Sequence, residues 1–88
     1  MQFAGVEKSL HRKEYKILLK LLYEQRMKTG LKQEELARKL GVHQSFISKI
    51  ENGDRRIDLV ELQDFCEALG TDFLAFVQEY QEELRRQT

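Results

Sequence analysis

Two short helical patterns hinged on a glycine, in the stretch QEELARKLGVHQSFISKIENG from Gln33 to Gly53, constrain this chain more than any other feature. Leu36, Ala37 and Leu40 recur at i, i+1 and i+4 on the first pattern. Phe46, Ile47 and Ile50 repeat that interval on the second, which stops at Asn52-Gly53. Residues one turn apart share a helix face, so each pattern buries one side. The turn at Gly41-Val42 has to bring the two apolar sides together, and Ala37 is small enough to let the helices approach. Gln44, Ser45, Ser48 and Lys49 then occupy positions that need not face the core. Such side chains on an exposed helix hydrogen-bond base edges and phosphates in a DNA major groove. The arrangement reads as a helix-turn-helix.

The rest of the chain reads as support for that stretch. Eighty-eight residues make one small domain near the size where a single core is marginal. The absence of proline, the few glycines and a one-third charged composition favour an all-α protein over sheet or disorder. A single cysteine, Cys66, leaves no internal disulfide or Cys-rich zinc site and suits a reducing, cytoplasmic setting. No run approaches the ~18 apolar residues of a membrane span, so no membrane partner is expected.

Net charge is zero, but it is unevenly distributed. Residues 1–56 hold thirteen Lys/Arg against seven Asp/Glu, and residues 57–88 hold two against eight, giving +6 and −6. The split implies a basic side that contains the motif and an acidic side that a phosphate backbone would repel.

In order, residues 1–10 are weakly patterned and read as an N-terminal arm, 11–80 as the helix-turn-helix domain with its motif at 33–53, and 81–88 as the end of the last helix and tail. From about His11 to Thr29, Tyr15, Leu18, Leu19, Leu22 and Gln25 line one helix face, widened by Ile17 and Leu21, and Gly30 ends it. The two motif helices begin after Lys32 and His43, neither a good capping residue. Asp58 with Glu61 forms a capping box that opens a helix to Leu69, with Leu59, Leu62, Phe65, Cys66 and Leu69 facing inward. Gly70 stops it, and Thr71 or Asp72 caps a last helix carrying Phe73, Leu74, Phe76, Val77, Tyr80 and Leu84.

From Gly30 to Arg55 the residues G-L-K-Q-E-E-L-A-x-x-L-G-V-x-Q-S-x-I-S-K-I-E-N-G-x-R resemble the Cro-repressor-like (XRE) family of bacterial and phage helix-turn-helix regulators. The likeness extends from about Leu22 to Val77. It implies a five-helix, lambda-repressor-like DNA-binding fold and assigns roles by position. Gln33 is expected to contact phosphate and brace Gln44, and Gln44 to read a base, commonly adenine; a glutamine amide offers the matching donor and acceptor. Ser45 and Lys49 fall at further base-facing positions, Ser48 between them, and Asn52 at a phosphate-contacting one. Arg55 and Arg56 would supplement it. Arg26 and Glu51 match a structural ion pair. Phe46 is open to two readings, packing or contact with a thymine methyl. Leu74 and Val77 match positions that close the family core, which leaves Phe73, Phe76 and Tyr80 as a surplus aromatic face for a dimer.

The expectation is a sequence-specific, dimeric repressor of double-stranded DNA with a pseudo-palindromic operator, no enzyme activity, no cofactor and no small-molecule ligand. His11 and His43 have no third ligand at metal spacing. Two alternatives stay open: an antitoxin or restriction-modification controller built on the same domain, and a protein-interaction adaptor that uses the aromatic last helix without DNA.

Overall fold

A computed structural model describes residues 12–87, so the arm expected over residues 1–10 lies outside the described part. The described residues form five helices and no strand: α1 Lys13–Thr29, α2 Gln33–Leu40, α3 Gln44–Glu51, α4 Leu59–Leu69 and α5 Phe73–Arg86. α2 packs chiefly on α3 and α4, while α1 runs behind them and touches α3, α4 and α5.

Each break has a chemical cause. At Gly41 the chain takes φ 69° and ψ 32°, a left-handed conformation that glycine adopts without a Cβ clash. This lets the Val42 N–H donate to the Ala37 carbonyl at 3.0 Å, closing α2. Lys32 has no side-chain acceptor for the N-terminus of α2. Glu35 reaches back and accepts from the Lys32 N–H at 3.0 Å, half of a capping box. Before α4 the box is complete: Asp58 Oδ1 accepts from the Glu61 N–H at 2.7 Å, and Glu61 Oε1 accepts from the Asp58 N–H at 3.0 Å. Asp72 caps α5 by accepting from the Ala75 N–H at 2.9 Å.

The core gathers Leu22 from α1, Leu36 and Ala37 from α2, Ile47 and Ile50 from α3, Phe65 and Cys66 from α4, and Phe76 from α5. Each large apolar side chain so buried contributes about 1.5–3 kcal/mol. Tyr15 adds a polar pin, because its hydroxyl accepts from the Ile57 N–H at 3.0 Å and ties the segment after α3 to α1. The Thr71 hydroxyl donates to Gln25 Oε1 at 3.1 Å and ties the α4–α5 turn to the same helix.

The structure corrects two expectations about facing. Phe76 is only 1% exposed and belongs to the core, while Phe73 and Tyr80 are partly buried against it. Burial also pushes the Tyr80 hydroxyl pKa up. The reason is helical phase: 73, 76, 80 and 84 fall on one stripe, and that stripe faces α1 and α4. Leu74, 68% exposed, and Val77 face outward instead of closing the core. The surplus aromatic face on which both the dimer surface and the adaptor alternative rested is therefore not free. In α4, Leu59 is 67% exposed because it sits at the first helical position, and Ile57, just before the cap, is the buried residue there.

Candidate nucleic-acid interface

The α2–α3 joint is built from the inside outward. Arg26 near the end of α1 reaches the end of α3, where its Nε and Nη2 donate to the two Glu51 oxygens at 2.6 and 2.9 Å. The two side chains are only 9% and 6% exposed. Arg26 Nη1 also donates to the Leu31 carbonyl at 2.8 Å, so one guanidinium fixes α1, the α1–α2 turn and α3. The hydrogen bond to Glu51 raises the Arg26 pKa, and it stays charged under all working conditions.

From Glu51 the network runs to the surface. Gln33 Nε2 donates to Glu51 Oε1 at 2.9 Å. Its own amide oxygen then accepts from Gln44 Nε2 at 3.4 Å, the loosest link of the relay. Gln44 is exposed at the first position of α3. With one amide hydrogen directed at Gln33, its oxygen and second N–H are left for an outside partner.

Gln44, Ser45, Ser48, Lys49 and Asn52 follow at intervals that put them on one side of α3 and its end, opposite the buried Ile47 and Ile50. Ser45, Lys49 and Asn52 are exposed, and Ser48 is half-buried and accepts from Asn52 Nδ2 at 3.4 Å. Phe46 lies between the faces, packed against the core's edge.

Two expectations about this surface change. His43 does cap α3: its Nδ1 accepts from the Ser45 N–H at 3.1 Å. A neutral imidazole nitrogen is as good an acceptor as a hydroxyl, which is why a survey for Ser, Thr, Asp and Asn overlooks it. Arg55 is not simply an extra cation beside the motif. It donates to both Glu61 oxygens at 3.0 Å, and its guanidinium carbon lies 4.3 Å from the Phe46 ring centroid. That clamp joins α3, the following loop and the α4 cap. Arg56, its neighbour, is exposed.

Among the described residues no group of three or more His, Cys, Asp or Glu is placed to hold a metal. No described helix is long and apolar enough to cross a membrane. Cys66 is buried, and its surroundings push the thiol pKa up to about 11, away from nucleophilic chemistry.

A short helix, a glycine turn and a second helix with a buried apolar side and an exposed polar side define a helix-turn-helix DNA-binding domain. The family model for the helix-turn-helix matches residues 22–76. Among solved structures, an XRE-family like protein from Pseudomonas syringae pv. tomato str. DC3000 is 43% identical, with 90% of this chain and 96% of that one covered and a TM-score of 0.80. The wild-type restriction-modification controller protein C.Esp1396I is 21% identical over 85% of this chain and 97% of its own, with a TM-score of 0.77. The clp gene regulator ClgR from C. glutamicum is 24% identical over 82% and 94%, with a TM-score of 0.70. At those identities the last two show the fold alone. No curated protein sequence matches the chain. The chain belongs to the XRE-type helix-turn-helix family of DNA-binding transcription regulators.

Proposed function

We propose that the protein is a sequence-specific repressor that binds a pseudo-palindromic operator in double-stranded DNA as a homodimer. The observation that carries the reading is the relay from buried Glu51 through Gln33 to exposed Gln44. A surface glutamine serves no packing purpose, yet this one is held by Gln33, which is itself bonded to the carboxylate that locks the fold. In the major groove its free amide atoms match adenine N6 and N7, and Lys49 matches guanine O6 or N7. Ser45 and Ser48 take adjacent base or backbone contacts. Gln33, Asn52 and Arg56 lie where phosphates would pass, while Arg55 supports them through Phe46 and Glu61 instead of binding phosphate itself.

Two copies with α3 in successive major grooves would read half-sites about 34 Å apart. The exposed Leu74 and Val77 of α5 take the place of the aromatic residues as the surface on which a second copy packs. Repression follows where the occupied operator overlaps a promoter.

In-vitro selection of bound duplexes tests the reading. The expected result is an inverted repeat whose binding falls more than tenfold in the double variant Gln44→Ala, Lys49→Ala, since each good side-chain–base pair is worth roughly 1–3 kcal/mol. Transcription from a promoter carrying that site should drop when the protein is added. Failure to enrich any sequence, or unchanged binding by the double variant, overturns the proposal.

A further inference from the structure

His43 and Ser45 form a small unit at the tip of α3 whose proton arrangement follows from its geometry. The Ser45 backbone N–H, one of the helix's otherwise unpaired first donors, points at His43 Nδ1 at 3.1 Å. A backbone amide can only donate, so Nδ1 is the unprotonated nitrogen and the ring's proton sits on Nε2. The same Nδ1 lies 3.0 Å from Ser45 Oγ. With Nδ1 an acceptor, this second contact runs from the hydroxyl to the ring. The hydroxyl and the backbone N–H share the single Nδ1 lone pair, and in this arrangement the one hydroxyl proton of Ser45 points at His43. Only lone pairs remain for anything that approaches from outside, and both residues are exposed.

That polarity has a meaning in the major groove. Adenine N6 and cytosine N4 present donors there, whereas guanine N7 and O6 and thymine O4 present acceptors. A serine free to rotate its hydroxyl serves either kind. We propose that His43 converts Ser45 into an acceptor-only reader that selects an amino base, adenine or cytosine, over a keto base, guanine or thymine, on the strand it faces. His43 is thus a specificity-determining residue that acts through Ser45. The inference rests on the DNA-reading role proposed above.

Selection of bound duplexes with four proteins tests it. Wild type is expected to enrich adenine or cytosine at one position of each half-site, identified as the position whose preference Ser45→Ala erases. The preference there should be about threefold to tenfold, the scale of one net hydrogen bond. His43→Gly removes the ring, and because glycine is a tolerated N-cap the helix survives; in this variant the amino-over-keto preference should vanish while the rest of the motif persists. His43→Asn restores an acceptor oxygen at the cap and should restore the preference. A guanine or thymine at the Ser45 position in wild type, or a preference that outlives His43→Gly, overturns the inference and leaves the DNA-binding proposal standing. A wild type that enriches no motif overturns both.

Discussion

Gln33 Nε2 and Arg26 Nη2 converge on the same oxygen of Glu51, each at 2.9 Å. One contact belongs to the buried brace between α1 and α3, the other to the surface that carries Gln44. A single carboxylate therefore serves stability and presentation together, and substitutions on its two sides should separate those tasks.

Glu51→Ala strands the Arg26 guanidinium in a nearly solvent-free site. Removing one partner of such a pair costs on the order of 3–5 kcal/mol, a large part of what a small domain has in total. Urea unfolding should show that loss in the midpoint, and DNA binding should disappear with the fold. Gln33→Ala leaves the ion pair in place. It should cost no more than about 1.5 kcal/mol of stability while weakening binding to a selected site, measured by fluorescence anisotropy. Equal stability losses in the two variants would contradict the division.

The Arg55 clamp makes a prediction about acid. Its hydrogen bonds hold the Glu61 pKa below the usual glutamate range. A lowered folded-state pKa means the unfolded chain takes up the proton first, so this stability is present above the unfolded value of about 4.3. It is lost as pH falls from there through the lower folded value. Thermal melts of wild type and Glu61→Gln should differ at neutral pH and converge toward pH 3. A gap that stays constant across that window would mean the carboxylate contributes nothing through its charge. Phe46→Ala should weaken the same clamp from the ring side.

Much of this was legible along the chain because it is local. Glycines at 30, 41, 53 and 70 and acids at 58, 61 and 72 mark helix ends within a few residues of their effect. Gln33 and Gln44 stood out as polar residues in helical register with an apolar stripe. Contacts between elements leave no such local mark. Arg55 reads as a spare cation in the sequence, since nothing there announces that Glu61 and Phe46 enclose it. The facing of α5 is a different case: the spacing of Phe73, Phe76, Tyr80 and Leu84 traces a core stripe, and that periodicity outweighs family position there. His43 caps α3 because a cap needs an acceptor and not a particular residue type.

Cys66 tests the packing of α4 directly. It is 1% exposed, and burial holds its thiol pKa at about 11. A chromogenic disulfide at pH 8 should label it only as fast as the domain opens, and at once in urea. Because the folded-state pKa is raised, the protonated thiol favours folding at neutral pH. That contribution should fade as pH climbs from the unfolded value of about 8.5 toward 11. Cys66→Ala should flatten this part of the alkaline melting profile. Rapid labelling of the native protein would place the thiol outside the core.

The dimer surface gives the last test. Leu74 and Val77 lie one turn apart at the start of α5, ahead of the acidic residues Glu79, Glu82 and Glu83. Two copies meeting there would bring apolar side chains together with less like-charge repulsion than farther along the helix. The patch is small against the ~800 Å² per partner of a stable interface, so association in free solution should be weak and completed on DNA, where the operator holds both copies. Sedimentation with a selected duplex should show two 10.5 kDa chains per site. Leu74→Glu should leave the melting temperature nearly unchanged, because the side chain is exposed. It should nevertheless lower affinity for the full operator by tenfold or more while sparing a single half-site, since about 1.4 kcal/mol of lost coupling equals one decade. One chain per full operator, together with a monomer mass at micromolar concentration, would remove the dimer from the proposal.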